Sequence, residues 1–191
     1  MNIEQIQQQV LNASQLQIIG NNSQLKSTLN TNLDMSAYTG IISYHPEELV
    51  MTVKAGTSIT EIERILANKG QVLPFTIAEC ADATIGGAYS VGSPELRDAV
   101  LGIKIVDGQG QILSFGGQVM KNVAGYDVSR LLVGSKGQYA VICEISFRVL
   151  PKAYAQSQQT PKTQSATDKS ALRERIETGL KNVFDPKGIF I

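Results

Sequence analysis

Residues 115–149, FGGQVMKNVAGYDVSRLLVGSKGQYAVICEISFRV, join a glycine-rich polar loop, a short helical turn and a long apolar segment. Apolar and polar side chains alternate along the last part, with Ile142 as the exception. The apolar positions are Val141, Cys143, Ile145, Phe147 and Val149, and the polar positions are Glu144, Ser146 and Arg148. A period of two is typical of a half-buried β-strand. We therefore predict a long strand with one apolar face.

Composition places the chain among ordinary globular proteins. It has 191 residues, 42% hydrophobic and 18% charged, with a formal net charge of zero. Nucleic acid is not an expected partner, because its binding depends on a surplus of Lys and Arg. The sequence lacks an apolar run of the roughly 20 residues that a membrane span needs. The first residues, MNIEQIQQQV, do not resemble a signal peptide. Cys80 and Cys143 have no CxxC partner, so we expect buried thiols and, as a corollary, a cytoplasmic chain.

The chain as a whole predicts an α+β fold. Helices are expected at 3–12, where Asn2 and Gln5 form a capping box, and from Ser58 to about residue 70. Strands are expected at 16–19, 41–44 and 50–55, and a hairpin at 103–107 and 111–115. The polar run 155–169 indicates a linker before a last helix that ends at Asp185-Pro186. The apolar face of that helix is predicted to be Leu172, Ile176, Leu180 and Val183.

Two segments could bind an anion. Residues 20–24, GNNSQ, form either a plain turn or a phosphate cradle, because Gly and Asn readily take positive φ and successive amides can face one anion. Residues 83–92, ATIGGAYSVG, place Thr84 as the cap of a helix whose first turn holds Gly86 and Gly87. Such a helix start either packs closely on a neighbour or offers free amides to a phosphate. The residues alone leave both alternatives open.

The motifs MKNVAGYD, ATIGG and LRDAVLG, together with the strand ending in LPK, resemble the FAD-binding domain of the vanillyl-alcohol-oxidase type, also called the PCMH type. Within that class the chain is similar to the E subunits of bacterial glycolate oxidase, including their FDPxGIF motif at 184–190. The resemblance covers roughly residues 16–152 and the tail. It implies two α/β lobes, a small N-terminal βαβ-like lobe at 1–75 and a larger antiparallel lobe at 76–152. Residues 153–169 would be a linker in place of a cap domain, and 170–191 a terminal helix and tail.

The resemblance also implies a non-covalently bound FAD. A larger flavin subunit and an iron–sulfur subunit would be partners, and a 2-hydroxy acid such as glycolate the substrate. The complex could place the chain peripherally at the inner membrane. The expected cofactor-binding residues are Gly20, Asn21, Asn22, Ser23, Gln24, Ala83, Thr84, Gly86, Gly87, Tyr89, Ser90, Gly92, Asp98, Gly137, Tyr139, Val141 and Ile142.

Three departures from the family pattern motivate an alternative. The loop after Gly92 is short, Asn21 and Asn22 replace glycines, and the cap domain is missing. The alternative is a degenerate assembly subunit of the same complex without flavin. We assign no catalytic residue and no metal site, because the single histidine, His45, lies beside a proline turn and the cysteines are too few.

Overall fold

The computed structural model describes residues 1–21, 31–76, 83–118, 127–155 and 171–191. Its helices are α1 Ile3–Asn12, α2 Ile59–Ala67, α3 Ile85–Val91, α4 Pro94–Ala99, α5 Val128–Leu131, α6 Lys152–Ala155 and α7 Ala171–Phe184. Its strands are β1 Gln17–Ile19, β2 Asn32–Asp34, β3 Ile41–His45, β4 Val50–Lys54, β5 Gln71–Val72, β6 Val100–Asp107, β7 Ile112–Gly116, β8 Ala140–Arg148 and β9 Leu150–Pro151. In these ranges no helix has both the length and the apolar character needed to cross a membrane.

A five-stranded antiparallel sheet forms the centre of the fold, in the order β3-β4-β8-β6-β7. Strands β1 and β2 form a separate parallel pair, and β5 pairs with β9. The predicted α+β class and the predicted hairpin of β6 and β7 are confirmed. Strands β3 and β4 belong to the same sheet as β6 to β8, although they precede residue 75. The boundaries drawn at residues 75 and 152 stay a prediction, and residues 156–169 of the expected linker lie outside the described residues.

The strict alternation expected along β8 is wrong, because the strand contains a β-bulge. Lys104 pairs with Glu144, but the next residue, Ile105, pairs with Ile142, so Cys143 is an extra residue on β8. A bulge of this kind moves all later side chains to the opposite face. Val141 and Cys143 therefore lie in one hydrophobic cluster, whereas Ile142, Ile145, Phe147 and Val149 lie in the other.

The two clusters occupy opposite faces of the sheet. The larger one combines β8, β6 and β4 with side chains from α2 to α5 and the end of α7. The smaller one combines Val141 and Cys143 with α1, β2 and the tail residues Ile189 and Phe190. Phe147 is fully buried in the larger cluster and meets the ring of Phe75 edge to face, with centroids 6.2 Å apart. Burial of one such side chain contributes about 1.5–3 kcal/mol to stability.

Local signals placed the helix ends correctly. The Asn2–Gln5 capping box is present, and the hydroxyl of Ser58 accepts the Glu61 amide at the start of α2. Helix α7 ends at Phe184, as the following Asp-Pro predicts.

Three of the four residues expected on the apolar face of α7 are exposed. Leu172, Ile176 and Val183 remain 64, 50 and 65% exposed. The core contacts of α7 come instead from Leu180 and Phe184, because only the end of this helix reaches the sheet. Of the four residues expected on the apolar face of α7, only Leu180 packs against the core.

Candidate functional site

A cleft opens between the β1–β2 pair, helix α3 and the beginning of β8. The space free of protein atoms in and just outside the cleft is about 580 Å³, and this volume includes solvent at the open mouth. Its lining comprises Ile18, Ile19, Gly20, Asn21, Met35, Ala55, Thr84, Gly86, Gly87, Ser90, Gly137, Ala140 and Ile142. Eight of the seventeen expected cofactor-binding residues are in this set, drawn from three segments far apart in sequence. A concave site with both apolar and polar lining is typical of small-molecule binding.

The start of α3 differs from the sequence expectation in one respect. Its first amides are occupied: Ile85 donates to the Thr57 carbonyl, Gly86 to the Ala55 carbonyl and Gly87 to the Thr84 hydroxyl. Helix α3 therefore does not present these amides free to an anion. It can still offer the positive end of its dipole and the absence of side chains at two glycines.

The two glycines of α3 have different surroundings. A Cβ built on Gly86 would lie 2.9 Å from both the Cβ and the carbonyl oxygen of Ala55, so glycine is required where α3 meets the end of β4. A Cβ on Gly87 would meet only the Thr84 hydroxyl among the described atoms, at 3.2 Å. The sequence left close packing and ligand approach open as alternatives, and each holds at one of two adjacent residues. Gly86 packs closely on Ala55, and Gly87 lines open space.

Glycines also line the other walls of the cleft. A Cβ on Gly20 would lie 3.0 Å from the hydroxyl of Thr84, so β1 and α3 approach each other closely here. Gly137 has a φ of +75°, which disfavours a side chain, and its Cβ position is 3.5 Å from the side chain of Ile18. Side chains at these positions would fill the cleft. Because glycines stand there instead, a ligand can come into direct contact with the backbone.

Six expected residues lie elsewhere. Ala83 is buried, and its carbonyl accepts the Ile59 amide. Tyr89 is fully buried and donates its hydroxyl to the Ser129 carbonyl at 2.6 Å. Burial also raises the pKa of this phenol far above its ordinary value. Tyr89 therefore belongs to the core rather than to the cleft.

The other residues of this group have structural neighbours of their own. Gly92 caps α3 beside Gly134, and Asp98 is exposed on α4. Val141 points into the smaller hydrophobic cluster, because the bulge assigns it to that face. Tyr139 is half-buried beside α7, where desolvation and then Glu177 raise its pKa. Asn22, Ser23 and Gln24 lie outside the described residues.

Five cleft residues were not expected from the sequence. Ile18, Ile19, Met35, Ala55 and Ala140 supply the apolar part of the lining. Met35 reaches the cleft because β2 pairs in parallel with β1, a pairing for which the polar segment 30–40 gave no signal. Alternation along β8 could have found Ala140, which lies two residues before Ile142.

The described residues contain no candidate metal centre. No group of three His, Cys, Asp or Glu side chains in these ranges could hold a metal ion. Burial raises the pKa of the Cys143 thiol to about 12, with Glu144 adding to the effect, so this cysteine is an inert core residue. His45 ends β3 and its carbonyl accepts the Glu48 amide, which confirms the predicted turn.

The lining of the cleft combines two kinds of group. Polar groups come from Asn21, Thr84 and Ser90, and aliphatic side chains come from Ile18, Ile19 and Ile142. A ligand with a polar, phosphate-like portion and a flat apolar ring matches both. The fold and the site thus define a domain of the class that binds a nucleotide-containing cofactor.

The chain belongs to the family of FAD binding domains. The family model with that description matches residues 12–116, more than half of the sequence. This match includes β1, α3 and the segment joining them, and therefore two of the three walls of the cleft.

Individual relatives agree with this assignment. The glycolate oxidase subunit GlcE of Escherichia coli (strain K12) is 42% identical over 165 residues, covering 80% of this chain and 47% of that protein. The glycolate oxidase subunit GlcD of Bacillus subtilis (strain 168) is 32% identical over 153 residues, covering 76% of this chain and 30% of that protein. The chain thus spans about half the length of the first relative and less than a third of the second.

A solved structure shows the same fold. Alkyldihydroxyacetonephosphate synthase superposes with a TM-score of 0.63 and 18% sequence identity, over 78% of this chain and 30% of that one. At this level of identity the likeness concerns architecture alone. It shows that the sheet and its helices form an architecture that is also present in that structure.

Proposed function

We propose that the cleft binds FAD non-covalently and that the chain is the FAD-binding part of a flavin-dependent 2-hydroxy-acid oxidoreductase, similar to the E subunit of glycolate oxidase. One observation carries this proposal. Three segments that the resemblance selected separately, around Gly20, Gly87 and Gly137, meet in one cleft. Membership of the FAD binding domain family supports the choice of cofactor.

The lining suggests how the cofactor is oriented. The diphosphate would face Gly20, Thr84 and Gly87, where an added Cβ would take up the available space. The adenosine end would follow the backbone from Gly137 to Ile142, beside the aliphatic part of the lining. This arrangement offers a charged group the Thr84 hydroxyl and the positive end of the α3 dipole, and it offers a flat ring apolar side chains.

The oxidation of a 2-hydroxy acid to a 2-oxo acid is chemistry that a flavin supplies when bound. The cleft residues bind and orient the cofactor. None of them carries a base for the substrate hydroxyl or a cation for its carboxylate in the described part of the lining. We therefore propose that substrate-contacting groups come from other parts of a complex.

That complex would contain a larger flavin subunit and an iron–sulfur subunit. Two relatives are named as different subunits of glycolate oxidase, which supports a multi-subunit assembly. Exposed Leu131, Leu172 and Ile176 provide apolar surface of the kind that partners cover. We propose a cytoplasmic location, with any association with the inner membrane made through the partners.

A flavin-binding assay tests the cofactor proposal. The purified chain is examined for visible absorption near the flavin bands and for flavin released on heating, and the apoprotein is titrated with FAD and, separately, with FMN. We expect FAD to bind and FMN to bind much more weakly, because FMN lacks the adenosine end. A folded protein that is colourless and ignores added FAD would contradict the proposal and would support an assembly subunit without flavin.

Two matched variants localise the binding. Gly87→Leu places a side chain in the cleft, whereas Gly179→Leu adds the same side chain on α7, where a Cβ meets no described atom within 4 Å. We expect only the Gly87 variant to lose FAD while both keep the far-ultraviolet spectrum of the parent. Equal FAD affinity in the two variants would place the cofactor elsewhere.

A further inference from the structure

We propose that Lys181 is a positioning residue for the cofactor, because its ammonium group ties together the segments that form two walls of the cleft. The inference rests on the proposed function, namely that the cleft binds FAD. The tie is made through a set of contacts that we call the Lys181–Asp185 clasp, which comprises Lys181, Asp185 and the backbone of residues 189–190. None of these residues lines the cleft.

Lys181 makes three contacts at the end of α7. Its Nζ lies 2.7 Å from the Asp185 carboxylate and donates to the Gln138 carbonyl at 2.7 Å. It also donates to the carbonyl of Phe190. Lys has three donors, so these contacts use all of them. Gln138 directly follows Gly137, which forms one wall of the cleft.

Asp185 fixes the tail that supports the other wall. Its fully buried carboxylate accepts the amides of Ile189 and Phe190, each at 2.9 Å. The tail in turn pairs with the residue before β1: the Leu16 amide donates to the Ile189 carbonyl at 2.8 Å, and the Ile191 amide donates to the Leu16 carbonyl at 3.3 Å. Two residues further on, β1 places Ile18 in the cleft.

The two supported walls meet at one point of the cleft. The side chain of Ile18 lies 3.5 Å from the Cβ position of Gly137, which is van der Waals contact, so a shift of either segment is transmitted to the other. A buried carboxylate that loses its cation is strongly unfavourable, and the backbone around it must then rearrange or take up water. Removal of the Lys181 ammonium therefore frees the Gln138 carbonyl and the tail together, and both walls lose a common anchor.

The experiment compares Lys181→Met with a matched control, Lys187→Met, which removes an exposed lysine from the same tail. The dissociation constant of FAD is measured on the full chain by quenching of flavin fluorescence, at a temperature well below the melting point of each apoprotein. Loss of one charge-assisted anchor predicts about a tenfold weaker affinity for Lys181→Met and less than about a twofold change for the control. Lys181→Arg keeps the charge and is expected to restore most of the affinity.

A merely structural role has a different signature. It would lower the melting temperature of Lys181→Met but leave the FAD dissociation constant of the folded protein unchanged, and that result would overturn the inference. If Lys181→Met does not fold, Lys181→Gln takes its place because glutamine retains a hydrogen-bond donor. We expect FAD to bind to Lys181→Gln about threefold more weakly than to the wild type. An affinity for Lys181→Gln equal to that of wild type would also overturn it. Failure of the wild-type chain to bind FAD would instead refute the proposed function.

Discussion

The adjacent glycines of α3 give the sharpest test of how the cleft is built. The perturbation is the same single methyl group at each position, Gly86→Ala and Gly87→Ala. At Gly86 the new Cβ would lie 2.9 Å from the Ala55 carbonyl oxygen and from the Ala55 Cβ. Both belong to the end of a central strand and cannot move aside. At Gly87 the one described neighbour is the Thr84 hydroxyl, at 3.2 Å, which can yield by a few tenths of an ångström.

The magnitudes follow from opposing terms. Overpacking costs about 1–3 kcal/mol, and replacement of glycine by alanine within a helix recovers up to about 1 kcal/mol. Gly86→Ala should therefore lose about 1–2 kcal/mol of unfolding free energy, a fall of roughly 2–8 °C in melting temperature for a chain of this size. At Gly87 the two terms nearly cancel, so the melting temperature should change by less than about 2 °C.

Ligand affinity should respond in the opposite order. Thermal unfolding of the apoproteins is followed by circular dichroism, and FAD affinity by titration at low temperature. We expect the folded fraction of Gly86→Ala to retain FAD affinity within about threefold, and Gly87→Ala to lose about tenfold because its methyl group enters the cleft. The reasoning is refuted if Gly86→Ala melts like the wild type, or if Gly87→Ala binds FAD unchanged.

Three further predictions concern the core and the cleft cap. Cys143 in a Cys80→Ser background should react with a thiol reagent only as fast as the protein unfolds, since burial raises its pKa to about 12; rapid labelling of native protein would contradict its place in the core. Burial, and to a smaller extent the negative charge of Glu144, raises the pKa of the Tyr38 phenol from 10 to about 12. The folded state therefore holds the phenolic proton more tightly than the unfolded state, and the free energy of unfolding should fall as pH rises from 10 to 12. In urea melts across that range Tyr38→Phe should show a shallower decline, and an unchanged slope would refute the assignment. Thr84→Ala removes the hydroxyl that accepts the Gly87 amide, so the free energy of unfolding should fall by about 1 kcal/mol and the affinity for FAD should also fall. Unchanged stability and unchanged FAD affinity would show that the cap is dispensable.

The local features of the fold could be predicted from the sequence because they depend on neighbouring residues. The Asn2–Gln5 box starts α1, and Asp185-Pro186 ends α7. The same holds for the hairpin of β6 and β7. Strand β2 was missed because its three residues, Asn32–Asp34, are polar at two positions and depend on pairing with β1. Pairing between distant segments leaves no periodic signal within a short strand.

The candidate site was predicted in part for a similar reason. Glycines that must stay bare, such as Gly20, Gly87 and Gly137, are recognisable as motifs, and the structure brings them together. The apolar lining residues Met35 and Ala55 were missed, since an aliphatic side chain has the same appearance in a core and in a cleft. Tyr89 was selected for its position inside a motif, yet its hydroxyl serves the Ser129 carbonyl in the core.

By itself the sequence determined the capped start of α1, the end of α7, the hairpin of β6 and β7, and the family to which its glycine motifs belong. These depend on intrinsic backbone preferences and on hydrogen bonds between residues a few positions apart. Tertiary structure alone decided which face each half of β8 presents, because the bulge at Cys143 depends on pairing with β6. It also decided that the amides opening α3 are taken by Thr57 and Ala55, and that Lys181 joins the two walls of the cleft. Such contacts form between residues far apart in sequence, and their geometry exists only once the chain has packed.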